Sequence, residues 1–68
     1  MEIFSQRLKS LINETGLTQK DFAKKYCFGV KQLNFWINNK AEPDMQSIVK
    51  FCSIFNVSAD YLLGIKDY

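Results

Sequence analysis

Apolar residues recur at helical spacing along almost the whole chain, but every such stretch is soon cut by a turn signal. Phe4, Leu8, Leu11 and Ile12 mark a first helix over Glu2–Glu14, and Gly16 follows where a left-handed residue would close it. Thr18 is placed to cap a second helix, with Asp21 three residues on as a capping-box-like acid and Phe22, Ala23 and Tyr26 as its apolar stripe. A third spans about residues 30–38, with Leu33, Trp36 and Ile37 on one face. Asp44 caps a fourth, whose apolar stripe reads as Met45, Ile48, Val49, Cys52 and Phe55, with Asn56 as its stop. Ser58 caps a short fifth helix, "ADYLL", ended by Gly64.

Helices this short are marginal alone in water, so their stability must come from packing on one another. The sequence therefore predicts an all-α fold, a compact five-helix bundle without strands, as one domain over residues 1–68. Sixty-eight residues lie near the size at which one core barely suffices. Six Phe, three Tyr and one Trp can supply much of the buried area so short a chain needs.

The formal net charge is only +2, but its distribution is uneven. Residues 16–41 carry five lysines (Lys20, Lys24, Lys25, Lys31, Lys40) against Asp21, while the rest carries four basic residues against six acidic ones. Positive charge gathered in the middle third suits a polyanion on one face, and equally suits an ordinary solvated lysine face. Two cysteines without a secretion signal read as reduced thiols in a cytoplasmic protein. No window approaches the ~18 apolar residues of a membrane span.

Catalysis finds little support. The chain has no His, hence no imidazole base and no Cys–His pair. Its acids sit at helix starts and in loops, where capping explains them. Two cysteines 25 residues apart do not make a zinc site, and no phosphate-binding Gly-rich motif occurs. No cofactor, metal or small-molecule substrate is expected.

The second and third helices are joined by only "CFGV". A turn that short makes two helices cross steeply, as in a helix-turn-helix, here over about residues 18–38. The second helix of such a pair can lie in the DNA major groove.

Several pieces in register carry a resemblance over about residues 7–64: Leu17-Thr18-Gln19 with Ala23 four residues on, Trp36, Glu42-Pro43, and the closing "VSADYLLG". Together they resemble the Cro/phage-repressor, XRE-type helix-turn-helix family, with its lambda-repressor-like DNA-binding domain. The resemblance implies that Gln19 contacts the DNA backbone and buttresses base contacts. It implies that Val30, Lys31, Gln32, Asn34 and Phe35 face the groove. Asn38, Asn39 and Lys40 would follow the helix where backbone amides and side chains meet phosphate, and Thr18 and Lys20 would add backbone contacts.

Three departures from the family pattern stand out. Cys27 occupies a turn position where glycine is usual, so it must either accept a positive φ or mark a reshaped turn. Gly29 and Val30 replace polar residues at the start of the third helix, with Gly29 a permissive cap. Ile12 and Ile37 stand where the family often places a partly buried Arg–Glu pair, and an apolar pair of similar volume can replace such an ion pair with little loss.

The expected function is sequence-specific binding of double-stranded DNA by a prokaryotic or phage transcriptional repressor, as a homodimer on a pseudo-palindromic operator. Three arrangements are open for the dimer: a small interface made by the fifth helix and the tail "IKDY", a chain that is a fragment of a longer regulator, or pairing only on DNA; Ile54, Tyr61, Ile65 and Tyr68 are candidate contacts by elimination. The rival is a protein-interaction module on the same fold, of antirepressor or antitoxin type, with Val30 and Phe35 in an apolar docking patch.

Overall fold

The computed structural model describes residues 2–67. Five helices follow one another: α1 Glu2–Glu14, α2 Gln19–Lys25, α3 Val30–Ile37, α4 Met45–Phe55 and α5 Ala59–Leu62. There is no strand among the described residues. Tyr68 lies outside them.

The starts follow the capping logic of the sequence. Thr18, Asp44 and Ser58 each have extended backbone and accept from the amide three residues on: Asp21, Ser47 and Tyr61, at 3.1, 3.1 and 3.0 Å. The helices close through left-handed residues: Gly16 (φ 78°), Cys27 (63°), Asn39 (59°), Asn56 (55°) and Gly64 (82°). Only two of these are glycine. At Gly64 the reason is steric as well as conformational, because a Cβ there would stand 2.5 Å from the Ile3 Cγ2.

Aromatic rings fill the centre. Phe51 has zero exposure and meets Phe28 at 4.6 Å, Trp36 edge-on at 5.6 Å, Phe4 at 6.1 Å and Phe55 at 6.3 Å. Phe22 adds a ring 5.5 Å from Phe55. Leu8, Ile12, Leu33, Ile37 and Leu62 complete the core. Each fully buried side chain of this size contributes about 1.5–3 kcal/mol.

The fourth helix corrects the expected stripe. Met45 and Val49 are 81% and 67% exposed, whereas Phe51 is buried. Ile48, Phe51 and Phe55 share one helical face, and the aromatic cluster draws that face inward. Met45 and Val49 are turned out as a result.

Arg7 ties the first helix to the end of the chain. Its guanidinium donates to the carbonyls of Tyr61 and Lys66 (2.8 Å to the latter), and lies 3.4 Å from the Asp67 carboxylate and 4.3 Å over the Tyr61 ring. Tyr61 is thus engaged within its own fold. Ile54 packs partly on the core, leaving Ile65, 69% exposed, as the open member of the dimer candidates that were described.

Candidate nucleic-acid interface

The α2–α3 turn is held by backbone chemistry. Tyr26 ends α2 and Cys27 takes the left-handed conformation. The Phe28 amide then donates to the Ala23 carbonyl at 2.8 Å, a Schellman closure. The Phe28 ring stacks on Phe22 at 6.1 Å and 9°, the apolar contact that accompanies such closures. Cys27 therefore accepts the glycine-like φ, and the turn is not reshaped. Gly29 caps α3 with φ −68°, so its backbone is one that any residue could adopt.

The third helix has two faces, as its sequence implies. Leu33, Trp36 and Ile37 are buried, whereas Val30, Lys31, Gln32 and Asn34 are exposed and Phe35 is half-buried. The Lys31 ammonium lies 5.9 Å over the Phe35 ring, which places a cation and an aromatic edge together on the open side. On the closed side, Ile37 and Ile12 both belong to the core, at 6% and 1% exposure.

Thr18, Lys20, Asn38 and Lys40 are exposed, and Gln19 is half-buried at the first position of α2. The Thr18 hydroxyl accepts from its own helix and keeps its hydrogen free to donate outward. The expectation for the amides after α3 needs correcting. The amides of Asn38, Asn39 and Lys40 donate to the carbonyls of Asn34, Trp36 and Phe35 at 3.0, 3.2 and 2.8 Å. A left-handed Asn39 lets the helix satisfy its own last carbonyls, so those amides are committed to the closure. The Asn38 side chain also donates one of its two amide hydrogens to the Asn34 carbonyl at 2.9 Å.

Two supports behind this face were not identified from the sequence. The Ser5 hydroxyl donates to the Trp36 carbonyl at 2.6 Å, and the Trp36 indole N–H donates to the Glu42 carbonyl at 3.3 Å. They fix the end of α3 against α1 and pin the loop that carries Lys40. A serine inside the buried stripe of α1, beside Phe4, was the available signal for the first.

Comparison with known proteins agrees with this arrangement. The helix-turn-helix family profile matches residues 8–62. The HTH-type transcriptional regulator ImmR of Bacillus subtilis (strain 168) is 37% identical over 59 residues. That alignment covers 87% of this chain and 46% of ImmR, so the chain spans about half the length of this relative. No solved structure gives a significant match.

Proposed function

The chain belongs to the XRE-type helix-turn-helix family, and on that premise we propose that it is a sequence-specific double-stranded DNA-binding transcriptional repressor of prokaryotic or phage origin. It acts as a homodimer, placing two copies of α3 in successive major grooves about 34 Å apart on a pseudo-palindromic operator and so excluding polymerase. Residues 1–68 serve as one DNA-binding domain, with the reading element at 18–38.

Affinity comes mainly from phosphate contacts by Thr18, Gln19, Lys20, Asn38 and Lys40. Specificity comes from α3. Gln32 and Asn34 pair bidentately with adenine, Lys31 reaches guanine, and Val30 and Phe35 pack on thymine methyls. The observation that carries this reading is the exposed row Val30, Lys31, Gln32 and Asn34 on a helix whose opposite face is buried. Such a row holds donors, acceptors and a cation at fixed positions without needing to fold on contact. No described helix is long and apolar enough to cross a membrane, and the expected site of action is the cytoplasm.

The test is selection of bound sequences from a random duplex pool at two salt concentrations, with Gln32→Ala in parallel. The expected result is an enriched palindrome whose recognition relaxes in the variant. Enrichment of nothing, with binding to a protein partner that persists at high salt, would favour the rival docking module, to which Val30 at 45% exposure is suited.

A further inference from the structure

Ser5 is the one buried polar side chain among the described residues, at 5% exposure. Alanine would suit the interior of a helix better, and a buried hydroxyl is costly unless it finds a partner. Its partner lies 31 positions away in the chain, where the hydroxyl donates to the Trp36 carbonyl at 2.6 Å.

That carbonyl stands in the last turn of α3, just before Asn38, Asn39 and Lys40. It also accepts from the Asn39 amide at 3.2 Å. One oxygen therefore serves two donors, one from the closure of α3 and one from α1. Trp36 is used again through its side chain, whose indole N–H donates to the Glu42 carbonyl at 3.3 Å. The stretch between positions 36 and 42 is thus bracketed at both ends, and both bonds converge on a residue only 4% exposed.

These bonds do something that the rest of the core does not. Phe4, Leu8 and Ile12 of α1 and Leu33, Trp36 and Ile37 of α3 share one apolar cluster. Apolar burial is non-directional, whereas a short hydrogen bond ties one atom of α3 to one atom of α1. Lys40 follows four residues after Trp36, across Asn39 with its φ of 59°. A displacement of the Trp36 carbonyl is carried through that closure to Asn38 and Lys40.

We propose that Ser5 is a positioning residue for DNA binding: from within the core, and without touching the duplex, it sets where Asn38 and Lys40 meet phosphate. This deepens the DNA-binding reading above and rests on it. Removing the hydroxyl leaves the Trp36 carbonyl with the Asn39 amide, so no buried acceptor is orphaned and the fold survives. What is lost is the register of the end of α3.

The experiment compares Ser5→Ala with Leu62→Val, which removes one buried methylene on α5, outside α3 and the DNA-contact set. Each is titrated with a selected duplex and its scrambled counterpart over a salt series, at a temperature where both variants are folded. Ser5→Ala is expected to weaken both duplexes about fivefold at ~0.15 M salt and to reduce the slope of log affinity against log salt by about one, the equivalent of one phosphate contact. The ratio between the two duplexes should stay within about twofold of the parent, because phosphate contacts carry no sequence information. Leu62→Val should keep the parent's slope, since destabilising a protein that stays folded removes no phosphate contact. A parental slope in Ser5→Ala, or the same reduction in Leu62→Val, overturns the proposal.

Amide hydrogen exchange on the free protein separates this inference from the DNA-binding reading. The Lys40 amide closes onto the Phe35 carbonyl at 2.8 Å. Relative to the core amides of α4, it should exchange roughly threefold faster or more in Ser5→Ala than in Leu62→Val. That result in a protein that binds no duplex would uphold Ser5 as the support of this segment and sink the repressor reading alone. Equal exchange in the two variants removes the positioning role, whether or not DNA is bound.

Discussion

The Phe28 amide donates to the Ala23 carbonyl at 2.8 Å across a left-handed Cys27. A side chain at φ 63° crowds its own backbone, which costs about 1–2 kcal/mol relative to glycine and is partly offset by glycine's greater freedom when unfolded. Cys27→Gly should therefore raise stability by about 1 kcal/mol, seen as a higher denaturant midpoint at unchanged slope. Cys27→Val should lower it, since β-branched residues tolerate this region worst. A glycine variant less stable than the parent would refute the assignment of strain to this turn.

Phe51 and Met45 offer the sharpest contrast in packing. Phe51→Ala should cost about 3–5 kcal/mol, which rivals the whole stability of a domain this size at about 3–10 kcal/mol. The expected observation is loss of cooperative unfolding in circular dichroism at 25 °C. Met45→Ala, on the same helix, should stay within about 0.5 kcal/mol of the parent.

That contrast marks where the sequence was legible and where it was not. Helix starts and stops were readable because Thr18, Asp44, Ser58, Asn56 and Gly64 act on neighbours a few residues away. The division of α3 was readable because Leu33, Trp36 and Ile37 fall at helical spacing among polar residues. The inward side of α4 was not readable. Nearly every residue of "MQSIVKFCSIF" is apolar or small, so periodicity leaves its rotation open, and the partners that decide it (Phe28, Trp36 and Phe4) are distant in sequence. The self-satisfied amides after α3 were hidden for a similar reason, because they depend on the positive φ of Asn39, which asparagine tolerates but does not announce.

The isoleucine pair can be tested by restoring what it replaces. Ile12→Arg alone buries an unpaired charge in the core and should cost about 3–5 kcal/mol. Adding Ile37→Glu should recover a substantial part of that loss, giving a clear coupling in a double-mutant cycle by chemical denaturation. Additive losses would mean that the two positions do not face each other.

On DNA, Gln32→Ala and Lys40→Ala should fail in different ways. Gln32→Ala should lower discrimination at one base pair by about 1–3 kcal/mol. Lys40→Ala should weaken all duplexes evenly and reduce the slope of log affinity against log salt by about one. Titrations over a salt series with cognate and scrambled duplexes distinguish the two. Equal effects on both duplexes for Gln32→Ala would remove it from the reading face.

The cap of α4 ties stability to acid pH. The Ser47 hydroxyl, and then its amide, hold the Asp44 carboxyl below its ordinary value of 3.8. A depressed carboxyl stabilises the fold fully above its unfolded value, and that contribution is lost as pH falls through the folded one. Thermal midpoints recorded from pH 6 to pH 2 should fall less steeply for Asp44→Asn, which caps without titrating, than for the parent. Parallel curves would show that the cap does not carry the acid response.

The single tryptophan has an optical consequence. Trp36 is 4% exposed, set edge-on against Phe28 and Phe51, and faces away from the exposed row of its own helix. Its emission therefore registers the integrity of the core and is screened from whatever touches the other side. A blue-shifted spectrum that persists when ligand is added, and moves to the red only on melting, separates occupancy from unfolding in one cuvette without any label.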